Sequence, residues 1–200
     1  MEFTEAVRRR RMVRNYQPDR PVDRATIERL LELAIRAPSA GFSQGWQFLV
    51  LDTAETRSAF WQATVEPGEP DRWLRGLQSA PVLILALSDK DAYLDRYAEP
   101  DKGWTDRDET HWPVPYWDID TGMASLLVLL GAVDAGLAGC FFGVPAPAHT
   151  AVKAGLGIPE RLRIVGVISL GYGAPDHRSP SLRRGRRELT EVLSYGRLTD

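Results

Sequence analysis

The sequence predicts one domain of the α/β or α+β class, and three observations lead to this prediction. The chain has 200 residues, which is enough for one domain with a sizeable core but short for two. Segments with helical periodicity alternate along the chain with apolar segments typical of buried strands. No internal repeat, low-complexity tract or linker-like composition divides the chain. We therefore expect a single domain over residues 1–200.

The N-terminal half contains four predicted helices and two predicted strands. Thr4 is a suitable N-cap for the first helix, which we extend to Tyr16. The second helix has the clearest amphipathic pattern, with Asp23 as its cap. It ends before Pro38, because a residue that precedes proline disfavours helical geometry. The predicted helices are 4–16, 23–37, 53–64 and 71–78, and the predicted strands are 46–51 and 81–88.

The C-terminal half opens with a segment that has no clean period, residues 89–117. It contains six aromatic residues, three prolines and His111, and this composition is more typical of a lid or pocket wall than of a disordered linker. The next segment, Ile119–Leu137, is apolar around most of its circumference, which predicts a helix buried in a core or a subunit interface. The last predicted elements are a strand at 138–144, a helix at 147–159 and a core strand at 162–173.

Composition and charge argue against several classes of protein. The formal net charge of −2 does not suit a protein that binds polyanions over its whole surface. Cys140 is the only cysteine and cannot form an internal disulfide, and no signal sequence opens the chain, so we expect a cytoplasmic protein. The longest apolar stretch, residues 122–139, holds Asp134 and four glycines. We therefore expect a buried helix there and no membrane partner.

The motifs of several common enzyme classes are missing from the sequence. It has no GxxxxGK[ST] phosphate loop and no GxSxG nucleophile motif, and His111, His149 and His177 lack metal-ligand spacing. We expect no metal, surface positions for the histidines and a core position for Cys140. Chemistry carried by an organic cofactor remains open, and it would require anchoring groups rather than a catalytic side chain.

Basic residues are concentrated at the two ends of the chain, which predicts an anion site where the ends meet. Guanidinium groups bind phosphate through paired, charge-assisted hydrogen bonds. Arg10 and Arg14 would share one helix face if the first helix extends that far, and Arg184 and Arg186 would project to one side of an extended segment. Solvated helix faces and a flexible tail are the alternative. The two clusters are Arg8, Arg9, Arg10, Arg11 and Arg14, and Arg178, Arg183, Arg184, Arg186 and Arg187.

A polar loop between the second helix and the first strand offers further contacts. Ser39 and Gln44 carry hydrogen-bonding side chains, and the Ala40–Gly41 turn exposes backbone amides. Together with the arginines, this loop could hold a phosphate and the polar edge of a ring.

Six motifs, in this order and spacing, resemble the nitroreductase family of flavin enzymes. Each motif alone is weak, but together they cover nearly the whole chain. They are RRMVRNY (10–16) for the family's RRS-x-R-x-Y/F, APSAGFSQGWQF (37–48) for APS-x-x-N-x-QPW-x-F, APVLI (80–84), GLAGCFFGV (136–144) for GLGSCWIGG, LGYG (170–173) for LGYP, and Arg184-Gly185-Arg186 for K-x-R.

The resemblance implies an α+β fold whose central sheet is mixed but mainly antiparallel and flanked by helices. It also implies a homodimer with interface helices and FMN bound at the interface. NADH or NADPH would reduce the flavin and leave before an electron-poor small-molecule acceptor, such as a nitroaromatic or quinone, enters. Backbone donors would stabilise the reduced flavin, so no catalytic side chain is required. Carried over residue by residue, the cofactor-binding positions are Arg10, Arg11, Arg14, Arg184 and Arg186 at the phosphate and its neighbouring groups, Pro38, Ser39, Ala40 and Gln44 beside the flavin, and Gly143 near its reactive edge.

Three residues depart from the family pattern. Met12 replaces serine, which removes a hydroxyl from the phosphate region, and Gly45 replaces the proline before Trp46. Phe42 replaces asparagine, which removes a polar contact; alternatively, its ring would wall off part of the acceptor pocket and change which acceptor fits. Loss of a hydrogen bond to a charged group costs about 1.5–3 kcal/mol, so FMN binding could weaken.

The aromatic segment is the predicted lid or acceptor pocket. Trp104, Trp112, Tyr116 and Trp117 could stack on a flat acceptor, or could instead anchor a long loop. Two other functions stay open. One is different flavin chemistry, such as oxygen-dependent fragmentation of FMN or use of another flavin-like cofactor. The other is a non-catalytic module that binds a phosphorylated ligand or nucleic acid, although the near-neutral charge argues against nucleic acid.

Overall fold

A computed structural model describes residues 1–64, 69–176 and 179–198 of the chain. At its centre lies a four-stranded sheet in the order β1-β2-β4-β3, and every neighbouring pair of these strands is antiparallel. The strands are β1 (Trp46–Leu51), β2 (Val82–Asp89), β3 (Ala138–Phe142) and β4 (Leu162–Gly171). The helices are α1 (Phe3–Arg9), α2 (Arg24–Ala34), α3 (Ala54–Thr64), α4 (Arg72–Gln78), α5 (Lys90–Ala98), α6 (Tyr116–Asp134) and α7 (His149–Leu156).

Helices cover both faces of the sheet, and a separate apolar core fills the space on each side. On one face α2 and α6 pack against strand residues such as Ile84 and Ile168. On the other face α3 and α7 pack against residues such as Leu83 and Val167. Because β2 is buried on both faces, its sequence is an almost continuous apolar run.

The N-terminal segment that follows α1 extends the sheet beyond β3. Met12 forms a parallel bridge with Gly139, and the Val13 amide donates to the Gly139 carbonyl oxygen at 3.0 Å. This bridge is the parallel component of an otherwise antiparallel sheet. It places residues 10–14 at the edge opposite β1.

The first predicted helix is too long, because α1 ends at Arg9 and Arg10 is extended. Residues 12–16 instead pair with the rest of the fold. Tyr16 bridges Gly173, and its amide donates to the Ser79 hydroxyl oxygen at 3.0 Å. These tertiary hydrogen bonds replace the helical ones, so Arg10 and Arg14 do not share a helix face.

Two other boundaries also differ from the prediction. Residues 89–117 contain a helix that sequence periodicity did not predict, α5, which buries Tyr93 and Leu94. The long apolar helix begins at Tyr116 rather than Ile119 and ends at Asp134.

Two residues named in the sequence analysis lie outside the described residues. They are Arg178, of the predicted C-terminal arginine cluster, and His177.

Helix α6 is long and apolar enough to cross a membrane by length and composition alone. In the fold it packs against the sheet, α1 and α2, with Ala124, Val128 and Ala132 fully buried. It therefore has the position of a core helix. Ile119, Met123 and Leu126 remain exposed on its outer side.

Candidate functional site

Three arginines line a cavity of about 610 Å³ at the β3 side of the molecule. Arg14 comes from the N-terminal segment, and Arg72 and Arg75 come from α4. Gly76 makes this approach possible, because a Cβ at this position would overlap the backbone oxygen of Arg14. The remaining lining residues are Asn15, Asp71, Trp73, Pro175, Asp176, Ser179 and Pro180. The three arginines outnumber the two aspartates of the lining, so the cavity is suitable for an anionic or electron-rich group.

Arg10 approaches the same edge of the sheet from a different direction. Burial raises the pKa of the Cys140 thiol, and the guanidinium groups of Arg14 and Arg10 partly offset that rise. Both arginines therefore lie close to this strand residue, although they do not share a helix. The Nη1 of Arg10 is buried and has no hydrogen-bond partner among the described residues. An unpaired buried donor of this kind is unfavourable without a ligand.

The other predicted arginines are not part of the cavity lining. Arg11 is exposed on the segment after α1. Arg184 ends a short 3-10 helix and Arg186 follows Gly185, and both side chains are exposed. The C-terminal tail nevertheless begins at the cavity, since Ser179 and Pro180 line it. Phosphate binding by the C-terminal arginines stays a prediction.

Gly143 lines a second pocket, of about 210 Å³, that shares Trp73 with the arginine cavity. A Cβ added at Gly143 would meet no described atom within 4 Å, so internal packing does not require glycine here. The open space above its backbone would accommodate the edge of a planar ring. Gly143 thus lies next to the arginine-lined cavity, and its position at the reactive edge of a flavin stays a prediction.

The predicted flavin loop, residues 38–44, is strained and partly exposed. Gly41, Phe42 and Gln44 have φ values of 60°, 57° and 51°. Left-handed geometry is unfavourable for Phe and Gln, and such strain is often found at functional sites. The Ser39 hydroxyl oxygen accepts from the Gln44 amide at 3.0 Å, and the Gly41 carbonyl oxygen accepts from Arg96 at 3.0 Å. The backbone is thus held in place while the Phe42 and Gln44 side chains face outward.

Asp120, on α6, fixes this loop from inside the protein. Its Oδ2 accepts from the Ala40 amide at 2.8 Å and from the Tyr93 hydroxyl at 2.8 Å. Asp120 is only 2% exposed. Burial raises the pKa of Tyr93 far above its ordinary value, and the hydrogen bond to Asp120 raises it further, so this hydroxyl remains a donor. The carboxylate therefore connects α5, α6 and the loop.

The loop and the arginine cavity lie at opposite edges of the sheet. The loop leads into β1, whereas Arg10 and Arg14 lie beyond β3. Four strand spacings separate the two, which amounts to roughly 19 Å at about 4.8 Å per spacing. One chain therefore does not bring together the two halves of the site that the sequence predicted.

The aromatic residues of the predicted acceptor pocket pack mainly on one another. Trp112 contacts Tyr93, Tyr97, Trp104, Tyr116 and Trp117 with ring centroids 4.5–6.0 Å apart. Trp117 is 3% exposed. This arrangement favours the anchoring interpretation for Trp112 and Trp117. Trp104 and Tyr116 keep partly exposed rings, and their contact with an acceptor stays a prediction.

The profile of the Nitroreductase family matches residues 7–172. The chain belongs to the nitroreductase family. A relative from Archaeoglobus fulgidus, provisionally named as an NADH dehydrogenase/NAD(P)H nitroreductase, is 30% identical over 175 residues, which are 86% of this chain and 85% of the relative. A Thermus thermophilus protein named NADH dehydrogenase is 27% identical over 202 residues, or 90% of this chain and 93% of that one.

Solved structures show the same nitroreductase-like α+β fold. A nitroreductase family protein from Clostridium difficile has a TM-score of 0.73 at 24% identity and covers 99% of this chain and 100% of its own. A protein of Desulfovibrio desulfuricans that was crystallised with FMN has a TM-score of 0.74 at 23% identity, with 100% and 99% coverage. At these identities the likeness concerns the fold alone.

Two departures from the family pattern have structural explanations in this chain. The Met12 side chain packs against the α2/α6 core, and its sulfur accepts from the Phe141 amide at 3.4 Å, so it does not occupy the arginine cavity. Gly45 contacts Tyr93 so closely that a Cβ would lie 2.5 Å from its ring. A proline at position 45 would collide with Tyr93, which explains why this chain has glycine there.

Sequence reasoning missed Arg72 and Arg75 as site residues. Both lie three positions apart on α4 and share one helix face, so R-x-x-R-G was the available signal. It is a weak signal, because surface arginines with this spacing are common on helices. Only the approach of Arg14 to Gly76 shows that this face meets the N-terminal segment.

Proposed function

We propose that the protein is an FMN-dependent oxidoreductase that passes a hydride equivalent from NADH or NADPH to an electron-poor small-molecule acceptor. The observation that carries this proposal is the cavity formed by Arg14, Arg72 and Arg75, which adjoins the open backbone of Gly143. The unpaired buried Nη1 of Arg10 supports it, because a phosphate or polar ring edge would satisfy that donor. The names of the relatives and the FMN complex of a structural neighbour also support it.

Each part of the cavity would have a distinct task. FMN, when bound, supplies the redox chemistry by accepting hydride from the nicotinamide and passing it on. The guanidinium groups would hold its anionic and polar groups and favour negative charge on the reduced ring. Gly143 would let the ring edge approach the backbone. Among this chain's described residues, none is needed as a nucleophile.

The complete site would require two copies of the chain. Pro38, Ser39, Ala40 and Gln44 lie at the β1 edge, while the arginine cavity lies beyond β3. A symmetric dimer can place the loop of one copy against the cavity of the other, twice. The exposed apolar residues of α6 and of the tail, among them Ile119, Leu126, Leu189 and Tyr195, supply surface for such an interface.

An absorption spectrum of the purified protein tests the proposal. FMN should bind with a visible flavin spectrum, and anaerobic NADH or NADPH should bleach it. Arg14→Ala and Arg75→Ala should each raise the FMN dissociation constant at least about tenfold, because a hydrogen bond to a charged group contributes about 1.5–3 kcal/mol. Arg8→Ala, an exposed arginine on α1, is the control. If the protein retained no flavin after FMN had been added and unbound FMN removed by gel filtration, the proposal would be rejected.

A second candidate function is oxygen-dependent fragmentation of FMN. A Rhodospirillum rubrum relative named 5,6-dimethylbenzimidazole synthase is 27% identical over 189 residues, which are 88% of this chain and 83% of that one. That product carries a dimethyl-substituted benzene ring, as flavin does. Chromatography of the flavin after aerobic incubation with NADPH separates the two functions, since an oxidoreductase returns its FMN intact.

A further inference from the structure

We propose that Arg96, on α5, is a positioning residue for FMN, and that it acts by holding the 38–44 loop in the shape that meets the cofactor. The inference deepens the proposed function and rests on it. Arg96 contacts the loop directly, since its Nε donates to the Gly41 carbonyl oxygen at 3.0 Å. The loop of one copy meets the FMN that the arginine cavity of the other copy holds, so Arg96 acts on the cofactor without touching it.

The loop has a shape that its own sequence does not maintain. Phe42 and Gln44 have left-handed φ values of 57° and 51°, which are unfavourable for residues that carry a Cβ. The family pattern has asparagine where this chain has Phe42, and proline where it has Gly45. Asparagine tolerates left-handed geometry and proline fixes φ, so each would restrain such a loop locally. Because this chain has neither, tertiary contacts supply the restraint.

One face of α5 makes these contacts. Tyr93, Arg96 and Tyr97 occupy positions i, i+3 and i+4 of the helix and therefore project from the same side. The Tyr97 ring packs on Gly41 so closely that a Cβ on the glycine would lie 2.5 Å from the ring. The Tyr93 ring packs on Gly45 equally closely. The two glycines thus match the two tyrosines in size, and Arg96 adds the hydrogen bond to the loop backbone.

Two carboxylates orient the Arg96 side chain. Its Nη1 and Nη2 each donate to one oxygen of Asp101 at 2.7 Å, and Nη1 also donates to Glu99 at 3.1 Å. A bidentate pair of this kind fixes the plane of the guanidinium group. The Nε is then directed at Gly41, an arrangement that needs the planar, multiple donors of arginine.

Arg96 and Asp120 hold neighbouring backbone groups of the loop from two helices. The Asp120 carboxylate accepts from the Ala40 amide, and Arg96 donates to the Gly41 carbonyl oxygen. The orientation of the peptide group between Gly41 and Phe42 sets the φ of Phe42. Without Arg96 this peptide group is free to rotate, and the loop relaxes from its left-handed geometry. The helix α5, from the segment that the sequence predicted as a lid, therefore supports the loop.

Titration of the full-length protein with FMN, followed by flavin fluorescence, tests the inference. Arg96→Ala should raise the FMN dissociation constant about fivefold. Arg107→Ala is the matched control, because Arg107 is also paired with carboxylates of α5 but its described partners are not in the loop. It should leave the dissociation constant unchanged. Both variants break exposed ion pairs, so their urea midpoints should agree. Equal FMN affinities in the two variants would overturn the inference.

A double-mutant cycle shows whether Arg96 acts through the loop backbone. In the Phe42→Asn background, where asparagine tolerates the left-handed geometry, Arg96→Ala should raise the dissociation constant less than about twofold. The visible circular dichroism of bound flavin, recorded at saturating FMN, should change in Arg96→Ala and not in Arg107→Ala. An undiminished loss of affinity in the Phe42→Asn background would overturn the inference. Failure of the proposed function is distinguishable, because the unmodified protein itself would then bind no FMN.

Discussion

Asp120 ties the 38–44 loop to α5 and α6. Its carboxylate is the acceptor for the Ala40 amide and the Tyr93 hydroxyl, and Asp120 and Tyr93 are both buried. Asp120→Ala should lower the free energy of unfolding by about 3 kcal/mol, because two donors lose their partner. Asp120→Asn keeps an acceptor oxygen and should cost less. Urea denaturation measures both.

The control for Asp120 is Asp95→Asn on α5, whose carboxylate is exposed and paired with Arg107. Exposed ion pairs contribute little to the free energy of unfolding. The urea midpoint of this variant should therefore equal that of the unmodified protein within experimental error. If Asp120→Ala were as stable as this control, the buried carboxylate would not hold the loop.

Two buried tyrosines should make the stability of the fold depend on pH at alkaline pH. Burial raises the pKa of both Tyr16 and Tyr93 far above the usual value. An unfolded tyrosine ionises near pH 10, so above about pH 10 the unfolded state binds fewer protons than the folded state. Stability should therefore fall as pH rises above about 10, by up to about 1.4 kcal/mol per pH unit for each tyrosine.

Tyr16→Phe tests this pH dependence. In this variant the free energy of unfolding should fall less steeply as pH rises, because one of the two buried tyrosines no longer contributes. Urea denaturation at several pH values between about 9 and 11 measures this dependence. Tyr195→Phe changes a residue that is 88% exposed and should leave the slope unaltered. A slope that is the same in all three proteins would show that Tyr16 does not ionise differently in the two states.

At the scale of elements, the strained loop offers a substitution that should improve stability. Phe42 is 74% exposed with a φ of 57°, so its side chain gives up little packing and its backbone is unfavourable. Asparagine tolerates left-handed geometry far better. Phe42→Asn should raise the free energy of unfolding by about 0.5–1 kcal/mol.

The same variant bears on the cofactor, because asparagine is the residue that the family pattern has at this position. If the loop faces FMN, Phe42→Asn should also lower the FMN dissociation constant, as measured by fluorescence titration. Phe3→Asn changes a phenylalanine that is 73% exposed but lies in a helix, and should give neither gain. A destabilised Phe42→Asn would mean that the ring makes contacts the single chain does not show.

Elements defined by local pattern were predictable, and those defined by distant contacts were not. Helix α2 has its Asp23 cap, whose carboxylate accepts from the Thr26 amide at 2.8 Å, and β2 has its apolar run. Helix α1, however, stops at Arg9 because the next residues pair with Gly139 and Gly173, more than 120 residues away. No local signal records such a pairing.

The candidate site, like the fold, was predictable from the sequence only in part. The motif resemblance correctly pointed to the family, whereas the roles that it implies for Gly143 and Arg14 stay predictions. It could not identify Arg72 and Arg75, because their role depends on how α4 meets the N-terminal segment. Nor could it show that the loop and the arginines lie at opposite edges, which follows from the strand order β1-β2-β4-β3.

At the scale of the whole molecule, the separation of the two half-sites can be tested by complementation. One variant, Arg14→Ala/Arg75→Ala, disables the cavity. The other, Phe42→Glu/Gln44→Glu, places negative charge on two exposed loop positions, where it would disfavour the negative charge of the reduced flavin. Each homodimer should lack activity, because both of its sites contain a disabled half.

A heterodimer of the two variants, isolated with two affinity tags, should regain activity. One of its sites combines both disabled halves, but the other combines the intact cavity of one chain with the intact loop of the other. Activity with menadione should therefore return to about half of that of the unmodified dimer. If each site lay within one chain, every site in the heterodimer would carry a defect and no activity would return. The recovered fraction thus reports directly on whether the sheet's two edges meet only between copies.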